Sequence, residues 1–346
     1  MFAFAALLGC ENDLPNGPSD EQHNLISFGQ VSTRVVDSVS DIEEFPVWAC
    51  MADPSANLYA PILTGERVYR NPEGSDTWTY DNTRLWIDDS HFFFLGVFSD
   101  AETYPRFVEN KYDLEGNGSQ YVIYTMGVTT PATADLDILT AFNYTNTSGE
   151  YNKTVSMQFS HLLTKVNLKI RQDFEKDPDF DYFVTKVTIS GLKNSGTYMF
   201  MPFAAEKPYY WDNWEFVDST LSIDKTLSTP EILRAYGTAD PKNKTVNIWG
   251  DAGLMLIPQE IAANGVKIRV DYLYDITPGD GDPGTTSHYV EGFLPADPNP
   301  EESILWQSGK SINYTLKIAE QNDITFAQPT IEPWGAPQTG GTIIIK

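Results

Sequence analysis

Short apolar runs separated by turn residues dominate the hydrophobic pattern of this chain from residue 24 onward. The runs 84–88, 91–98 and 120–126 are rich in aromatic and β-branched residues, and Gly, Pro, Asn and Asp interrupt the pattern every several residues. The run from Phe92 to Phe98 is apolar at consecutive positions, which predicts a central strand buried on both faces. We therefore predict an all-β protein built from two β-sandwiches.

Strict alternation marks two later strands. Apolar and polar side chains alternate over 266–274 and again over 312–318, which predicts half-buried antiparallel strands. In the stretch 155–170 the apolar phase changes between His161 and Lys165, which predicts a bulge or a strand break at that point.

Helical periodicity is scarce in this sequence. A single helical turn is predicted over 135–141. A short helix is predicted over 229–236, because Thr229 can cap its start and Pro230 suits the first helical position.

The first strand-like run, 24–34, has two interpretations. Ile26, Phe28 and, after a slip at Gly29-Gln30, Val31 can supply one buried edge of a sandwich, and the run ends at Arg34. Taken alone, the pattern favours an ordinary N-terminal strand followed by a loop. In the alternative, a protease that cuts after Arg34 removes this strand, leaves an open groove and makes Val35 the new first residue.

The length of the chain predicts its domain organisation, and its net charge limits the classes of partner. A chain of 346 residues favours two domains, and the polar linker around 144–153 places the boundary near residue 150, between 24–150 and 151–346. The formal net charge of −25 argues against nucleic acid as a partner and disfavours binding to anionic lipid surfaces.

The N-terminal segment 1–10 is apolar and ends in Leu-Leu-Gly-Cys. It is too short to span a bilayer, and it resembles the end of a bacterial lipoprotein signal in which Cys10 becomes the lipidated residue. The acidic, Pro/Gly-rich tether 11–23 follows, and it resembles the surface-export signal of Bacteroidetes lipoproteins. A disulfide between Cys10 and Cys50 is the weaker interpretation.

Catalytic and metal-binding patterns are weak. The 4 histidines have no metal-ligand spacing, there is no nucleophile elbow, and we predict neither an enzyme, nor a metal site, nor a cofactor. His161 is predicted to be a hydrogen-bonded residue near the core. Asp280 and Asp282 lie in an acidic glycine-rich loop that suits a hairpin tip better than a calcium site.

One loop concentrates aromatic side chains: Tyr209, Tyr210, Trp211 and Trp214 follow a proline in the stretch 207–216. If they were exposed, they could stack on sugars or contact partner proteins. The alternative, which the pattern favours, is a loop folded back against the end of a sandwich.

Several motifs follow one another in order along nearly the whole chain after the tether. Residues 135–141 read Asp-Leu-Asp-Ile-Leu-Thr-Ala, and residues 159–168 read Phe-Ser-His-Leu-Leu-Thr-Lys-Val-Asn-Leu. Further segments of this kind are 184–198, 254–259, 309–318, 324–326 and 331–335. In order and spacing they resemble the fimbrillin family, the pilus subunits of Bacteroidetes with type V assembly, in which a D-L-L-x-A element precedes an F-x-H-x-L-x-K-V strand.

The resemblance implies two transthyretin-like antiparallel β-sandwich domains in tandem and a cell-surface, outer-membrane location. It implies a lipoprotein precursor anchored through Cys10, cleavage between Arg34 and Val35 by a processing protease, and polymerisation by strand exchange with other fimbrial subunits. It also implies adhesion to host or bacterial surface ligands.

The C-terminal segment 338–346 is the donor strand that this resemblance suggests. Its apolar part comprises Thr342, Ile343, Ile344 and Ile345, of which Ile343 and Ile345 would fill the pockets of the missing strand. A plain final strand of its own domain is an almost equally good interpretation. A surface-exposed glycan-binding lipoprotein, with Trp211 and Trp214 as contacts, remains the alternative function.

Overall fold

The structure is a computed structural model, and it describes residues 25–33, 42–53, 58–73, 77–87, 90–99, 106–112, 121–130, 137–146, 154–172, 181–201, 211–216, 220–233, 244–262, 264–275, 286–294, 304–319 and 323–333. Every regular element in these ranges is a β-strand, so the predicted all-β class is confirmed. Across the same ranges we find no apolar helix of membrane-spanning length.

The structure describes 22 strands. The first nine are β1 (Ser27–Thr33), β2 (Glu44–Asp53), β3 (Leu58–Arg70), β4 (Trp78–Thr79), β5 (His91–Ser99), β6 (Arg106–Tyr112), β7 (Tyr121–Thr129), β8 (Ile138–Asn146) and β9 (Thr154–His161). The others are β10 (Thr164–Gln172), β11 (Asp181–Leu192), β12 (Ser195–Met201), β13 (Trp211–Phe216), β14 (Leu221–Ile232), β15 (Val246–Asn247), β16 (Leu254–Leu256), β17 (Gln259–Ile261), β18 (Lys267–Asp275), β19 (Ser287–Phe293), β20 (Ile304–Trp306), β21 (Lys310–Ala319) and β22 (Asp323–Pro333).

Five sheets are formed by these strands. A seven-stranded sheet has the order β1-β9-β8-β5-β2-β3-β4, and a four-stranded sheet has the order β13-β12-β7-β6. In the second half, β15-β10-β21-β22, with β16 also paired to β10, lies opposite β14-β11-β18-β19, and β17 pairs with β20. Among the described pairs only β1–β9 and β10–β21 are parallel.

Strand β5 is the centre of the first half. Phe92 and Phe94 face one core cluster together with Phe28, while Phe93 and Leu95 face a second cluster that the four-stranded sheet covers. The prediction of a central strand buried on both faces is therefore confirmed. This layered arrangement puts the core directly beneath β1.

The second half has its own core between two facing sheets. The alternation predicted over 266–274 is confirmed, since β18 buries every second residue and pairs antiparallel with β11 and β19. The alternation predicted over 312–318 is also confirmed, because β21 buries every second side chain. The predicted antiparallel pairing holds only for its pair with β22, since β21 runs parallel to β10. Trp306 Nε1 donates a buried hydrogen bond to the Tyr314 hydroxyl at 3.0 Å.

Of the bulge or strand break predicted between His161 and Lys165, the structure shows a strand break. Strand β9 ends at His161 in the seven-stranded sheet, and β10 begins at Thr164 in a different sheet. His161 is buried and its Nδ1 lies 3.0 Å from Asp137 Oδ1, as expected of a hydrogen-bonded residue near the core. The phase change in the sequence therefore corresponds to a change of sheet.

Strand pairing crosses the predicted domain boundary near residue 150. Strands β8 and β9, on either side of it, are antiparallel neighbours, and β12 from the second half pairs with β7 from the first. A cut at residue 150 would separate hydrogen-bonded strands. The division of the chain into independently folding units stays a prediction.

Both helical predictions are wrong. Residues 138–141 belong to strand β8, and 229–232 complete strand β14. Strand β14 is an edge strand whose register slips between Thr226 and Glu231, so Pro230 sits in an irregular edge, where its missing N–H costs no ladder hydrogen bond. Thr229 and Pro230 form a typical helix-start sequence, but pairing of β14 with β11 determines the local structure instead.

Cys50 on β2 gives a prediction about alkaline pH. It is a free cysteine with no exposed surface, and burial raises the pKa of its thiol from 9.0 to about 12. Unfolding lets the thiol ionise, so the folded state loses stability as the pH rises from the lower value toward the higher. Urea unfolding should show the wild type losing about 1.4 kcal/mol more than Cys50→Ala between pH 8 and pH 10. Equal losses in the two proteins would mean that the thiol does not stay protonated in the fold.

Candidate strand-exchange groove

Strand β1 fills a cleft that has two rims, which we call the β1 groove. On one side β1 pairs in parallel with β9, with Phe28 opposite Val155 and Val31 opposite Met157. On the other side Leu25 forms a bridge with Leu85 in the segment 80–87 that follows β4. The start of β1 is therefore held between two chain segments rather than lying at an open edge.

The floor of the β1 groove is apolar. Ile26 is 2% exposed and Phe28 is 5% exposed, and both belong to the core cluster on that face of the seven-stranded sheet, with Val31 packed at its margin. The Phe28 ring meets Tyr80 and Phe94 edge to face, with ring centroids 5.5 and 6.0 Å apart. The buried edge predicted from the sequence is thus confirmed for all three residues.

A bulge interrupts β1 where the sequence predicts a slip. The register shifts between Phe28 and Val31, so Gly29 and Gln30 together oppose one residue of β9. A Cβ atom at Gly29 would lie 2.3 Å from Thr154 Cγ2, which real structures do not allow. A side chain at position 29 therefore requires the Thr154 side chain or β1 itself to shift.

This contact predicts that Gly29→Ala destabilises the docked strand. We expect a loss of about 1–3 kcal/mol in urea unfolding of the full chain, since the new methyl group must displace Thr154 or β1 itself. Thr154→Ala removes Cγ2 but leaves Cβ, which lies 3.2 Å from the added atom, so the double variant should recover part of the loss. If Thr154→Ala gives no recovery, the close contact is not the cause.

The segment 80–87 is the part of the groove that sequence reasoning missed. Tyr80 and Trp86 are buried, and the Trp86 ring packs edge to face on Phe92 with centroids 4.8 Å apart. Trp86 and Phe94 also meet, at 5.8 Å. The run at 84–88 was recognised as strand-like, but no local signal says that it closes over the first strand.

Most of the site residues predicted from the sequence lie outside the described residues. These are Cys10, Arg34, Val35, Tyr209, Tyr210, Asp280, Asp282, Thr342, Ile343, Ile344 and Ile345. Their assigned roles stay predictions. Strand β1 ends at Thr33, directly before the predicted cleavage position.

The aromatic loop is partly described. Trp211 begins β13, where it pairs with Met201, and Trp214 is half-buried with its ring centroid 5.1 Å from that of Tyr198. Trp214 packs against the core between the seven-stranded and four-stranded sheets. A ring held in this way is not an open platform for a sugar, so for Trp214 the structure favours the folded-back arrangement.

Acidic and metal-ligating side chains form no site in the part of the chain that the structure describes. No group of three or more His, Cys, Asp or Glu side chains there is arranged to hold a metal ion. The β1 groove, by contrast, has an apolar floor and two main-chain rims, a geometry that suits an extended strand.

Comparison with known proteins gives the family. A family model described as fimbrillin-like matches residues 33–334. Fimbrium subunit Fim1C of Phocaeicola vulgatus is 28% identical over 186 residues, which are 51% of this chain and 45% of that relative, so the match spans about half of its length.

Two crystal structures align with most of this chain. A fimbrial protein from Bacteroides vulgatus has a TM-score of 0.60 and 16% identity, covering 90% of this chain and 99% of that one. A protein from Bacteroides uniformis proposed to act in cell adhesion has a TM-score of 0.45 and 13% identity, covering 90% and 99%. Because the family model covers most of the sequence, the chain belongs to the fimbrillin-like family.

Proposed function

We propose that this chain is a structural subunit of a cell-surface fimbria, with a role in adhesion. In this proposal it is exported as a lipoprotein precursor anchored at Cys10 in the outer membrane, and its two halves are tandem transthyretin-like sandwiches. A protease cuts after Arg34, and the subunits then polymerise by donor-strand exchange. Membership of the fimbrillin-like family supports the general role, and the β1 groove supports the exchange step.

The observation that carries the exchange step is the way β1 is held. Strand β1 is the first strand that the structure describes, and it pairs with β9 through one short bulged ladder. The core contribution of β1 and of the residue before it comes mainly from Phe28 and Ile26. Burial of two such side chains is worth about 1.5–3 kcal/mol each. That contribution holds β1 in place while it is tethered, and it weakens once cleavage turns binding into an encounter between two molecules.

Loss of β1 would leave an unpaired strand edge and an exposed apolar surface, which another strand can cover. The N–H and C=O groups of β9 would face solvent, and the pockets of Ile26 and Phe28 would stand open. Ile343 and Ile345 of the C-terminal tail have the same two-residue spacing as Ile26 and Phe28. A tail from a neighbouring subunit would therefore fill both pockets and complete the ladder.

Mass spectrometry of fibres purified from the cell surface tests this proposal. Subunits in the fibres should begin at Val35 and lack both the lipid and residues 24–34. The membrane fraction should contain the longer chain, lipidated at Cys10. Fibres built from subunits that still carry residues 24–34 would contradict the exchange step, and the chain would then be a self-contained surface protein.

A further inference from the structure

The residue before β1 is hydrogen-bonded on the side of the second rim through both of its backbone groups. The Ile26 N–H donates to the Arg84 carbonyl oxygen at 2.8 Å. The Ile26 carbonyl oxygen accepts from the Tyr80 hydroxyl at 3.0 Å. The same hydroxyl oxygen accepts from the Arg84 N–H, also at 3.0 Å.

The Tyr80 hydroxyl thus stands where a regular antiparallel pair would have a direct hydrogen bond. Arg84 N–H and Ile26 C=O are bridged by one phenolic oxygen, which can accept and donate at the same time. None of these three hydrogen bonds uses the side chain of Ile26. The second rim therefore contacts the main-chain N–H and C=O of the strand in the groove, independently of its side chain.

Packing fixes the position of the Tyr80 hydroxyl, and its protonation lets it donate a hydrogen bond. The Tyr80 side chain is 5% exposed, and its ring meets Phe28 edge to face. Burial raises the pKa of Tyr80 above its ordinary value, so the hydroxyl stays a donor even at moderately alkaline pH. With the strand in place the hydroxyl is buried and has a main-chain acceptor, so loss of either partner group within the filled groove would cost stability.

We propose that Tyr80 is a positioning residue that clamps the main chain of whichever strand occupies the groove. It holds β1 in the precursor, and, if the proposed function is right, it sets the register of the donor strand that replaces β1. The strand residue at the Ile26 position must offer both an N–H and a C=O, which excludes proline there. The tail segment 338–346 contains no proline and meets this requirement.

The test uses the full-length chain with a site-specific protease sequence placed after Arg34, so that cleavage leaves the labelled segment 1–34 seated in the groove. Release of this segment is followed after addition of an excess of unlabelled peptide 24–34 or peptide 334–346. Tyr80→Phe, which removes only the hydroxyl, should speed release about tenfold. Tyr69→Phe is the matched control, because the Tyr69 hydroxyl donates to exposed Asp81 at 2.8 Å and should leave release unchanged.

Amide hydrogen exchange in the uncut chain separates a clamp from a packing role. Tyr80→Phe keeps the ring but removes the acceptor of the Arg84 N–H, so that amide should lose protection while the amides of β5 keep theirs. Unchanged release and unchanged protection at Arg84 would overturn the clamp. If peptide 24–34 competes and peptide 334–346 does not, while Tyr80→Phe still speeds release, the clamp stands and the donor assignment fails.

Discussion

Deletion of residues 342–346 is expected to abolish fibre formation while the subunit is still exported and folded. The last described strand, β22, ends at Pro333, so the deletion leaves all described sheets intact. What it removes is the only segment that we propose to enter the β1 groove of a neighbour. Fibres would be counted by electron microscopy of cells and by the ladder of polymers on a denaturing gel.

Alternation within the tail supplies a matched control for this result. If Ile343 and Ile345 point into the groove, Ile344 points away from it. The pair Ile343→Asp and Ile345→Asp should then stop assembly as completely as the deletion, whereas Ile344→Asp should permit it. Normal fibres from the truncated chain would mean that the tail is a plain terminal segment and that the donor lies elsewhere.

Phe28→Ala is expected to weaken the precursor strongly and to leave the assembled fibre unaffected. Loss of a buried phenylalanine costs about 3–5 kcal/mol, and Phe28 is buried against Tyr80 and Phe94. In the precursor this loss should appear as a lower midpoint of unfolding and as faster proteolysis after Arg34. Since the mature subunit no longer contains Phe28, fibre stability should not change.

Ser27→Ala is the control for Phe28→Ala, because Ser27 is the exposed neighbour on the same strand. It should alter neither the precursor nor the fibre by more than a few tenths of a kcal/mol, roughly. Fibres of Phe28→Ala that melt earlier than wild-type fibres would show that β1 stays in the assembled subunit. That result would remove the basis for strand exchange.

Local pattern was sufficient to predict several of the individual strands. The consecutive apolar residues from Phe92 to Phe98 indicate burial on two faces, and the phase change after His161 indicates a bulge or a break. At the start of the chain, Ile26, Phe28 and Val31 share one face only if the chain slips at Gly29-Gln30, as it does. Each of these inferences depends on spacing within one short run.

Pairing between distant strands could not be predicted in the same way. Nothing near β12 indicates that it pairs with β7, and nothing near Tyr80 indicates that its hydroxyl meets Ile26, 54 residues away. The helix predicted at Thr229 failed for the same reason, because the sheet around β14 supplied hydrogen bonds that a capping signal cannot foresee. The floor of the groove was therefore predictable, whereas its second rim was not.

Cysteine cross-linking within assembled fibres tests strand exchange most directly. Ser156 is an exposed residue of β9 beside the bulge of β1. We predict that Ser156→Cys forms disulfides with a cysteine at Thr342 or Ile344 of the neighbouring subunit, which would link the subunits into covalent ladders. The contradicting result comes from the double variant Ser156→Cys and Gln30→Cys. If its two cysteines form a disulfide within one chain in the fibres, and no link between subunits appears, β1 has kept its place. Strand exchange would then be wrong.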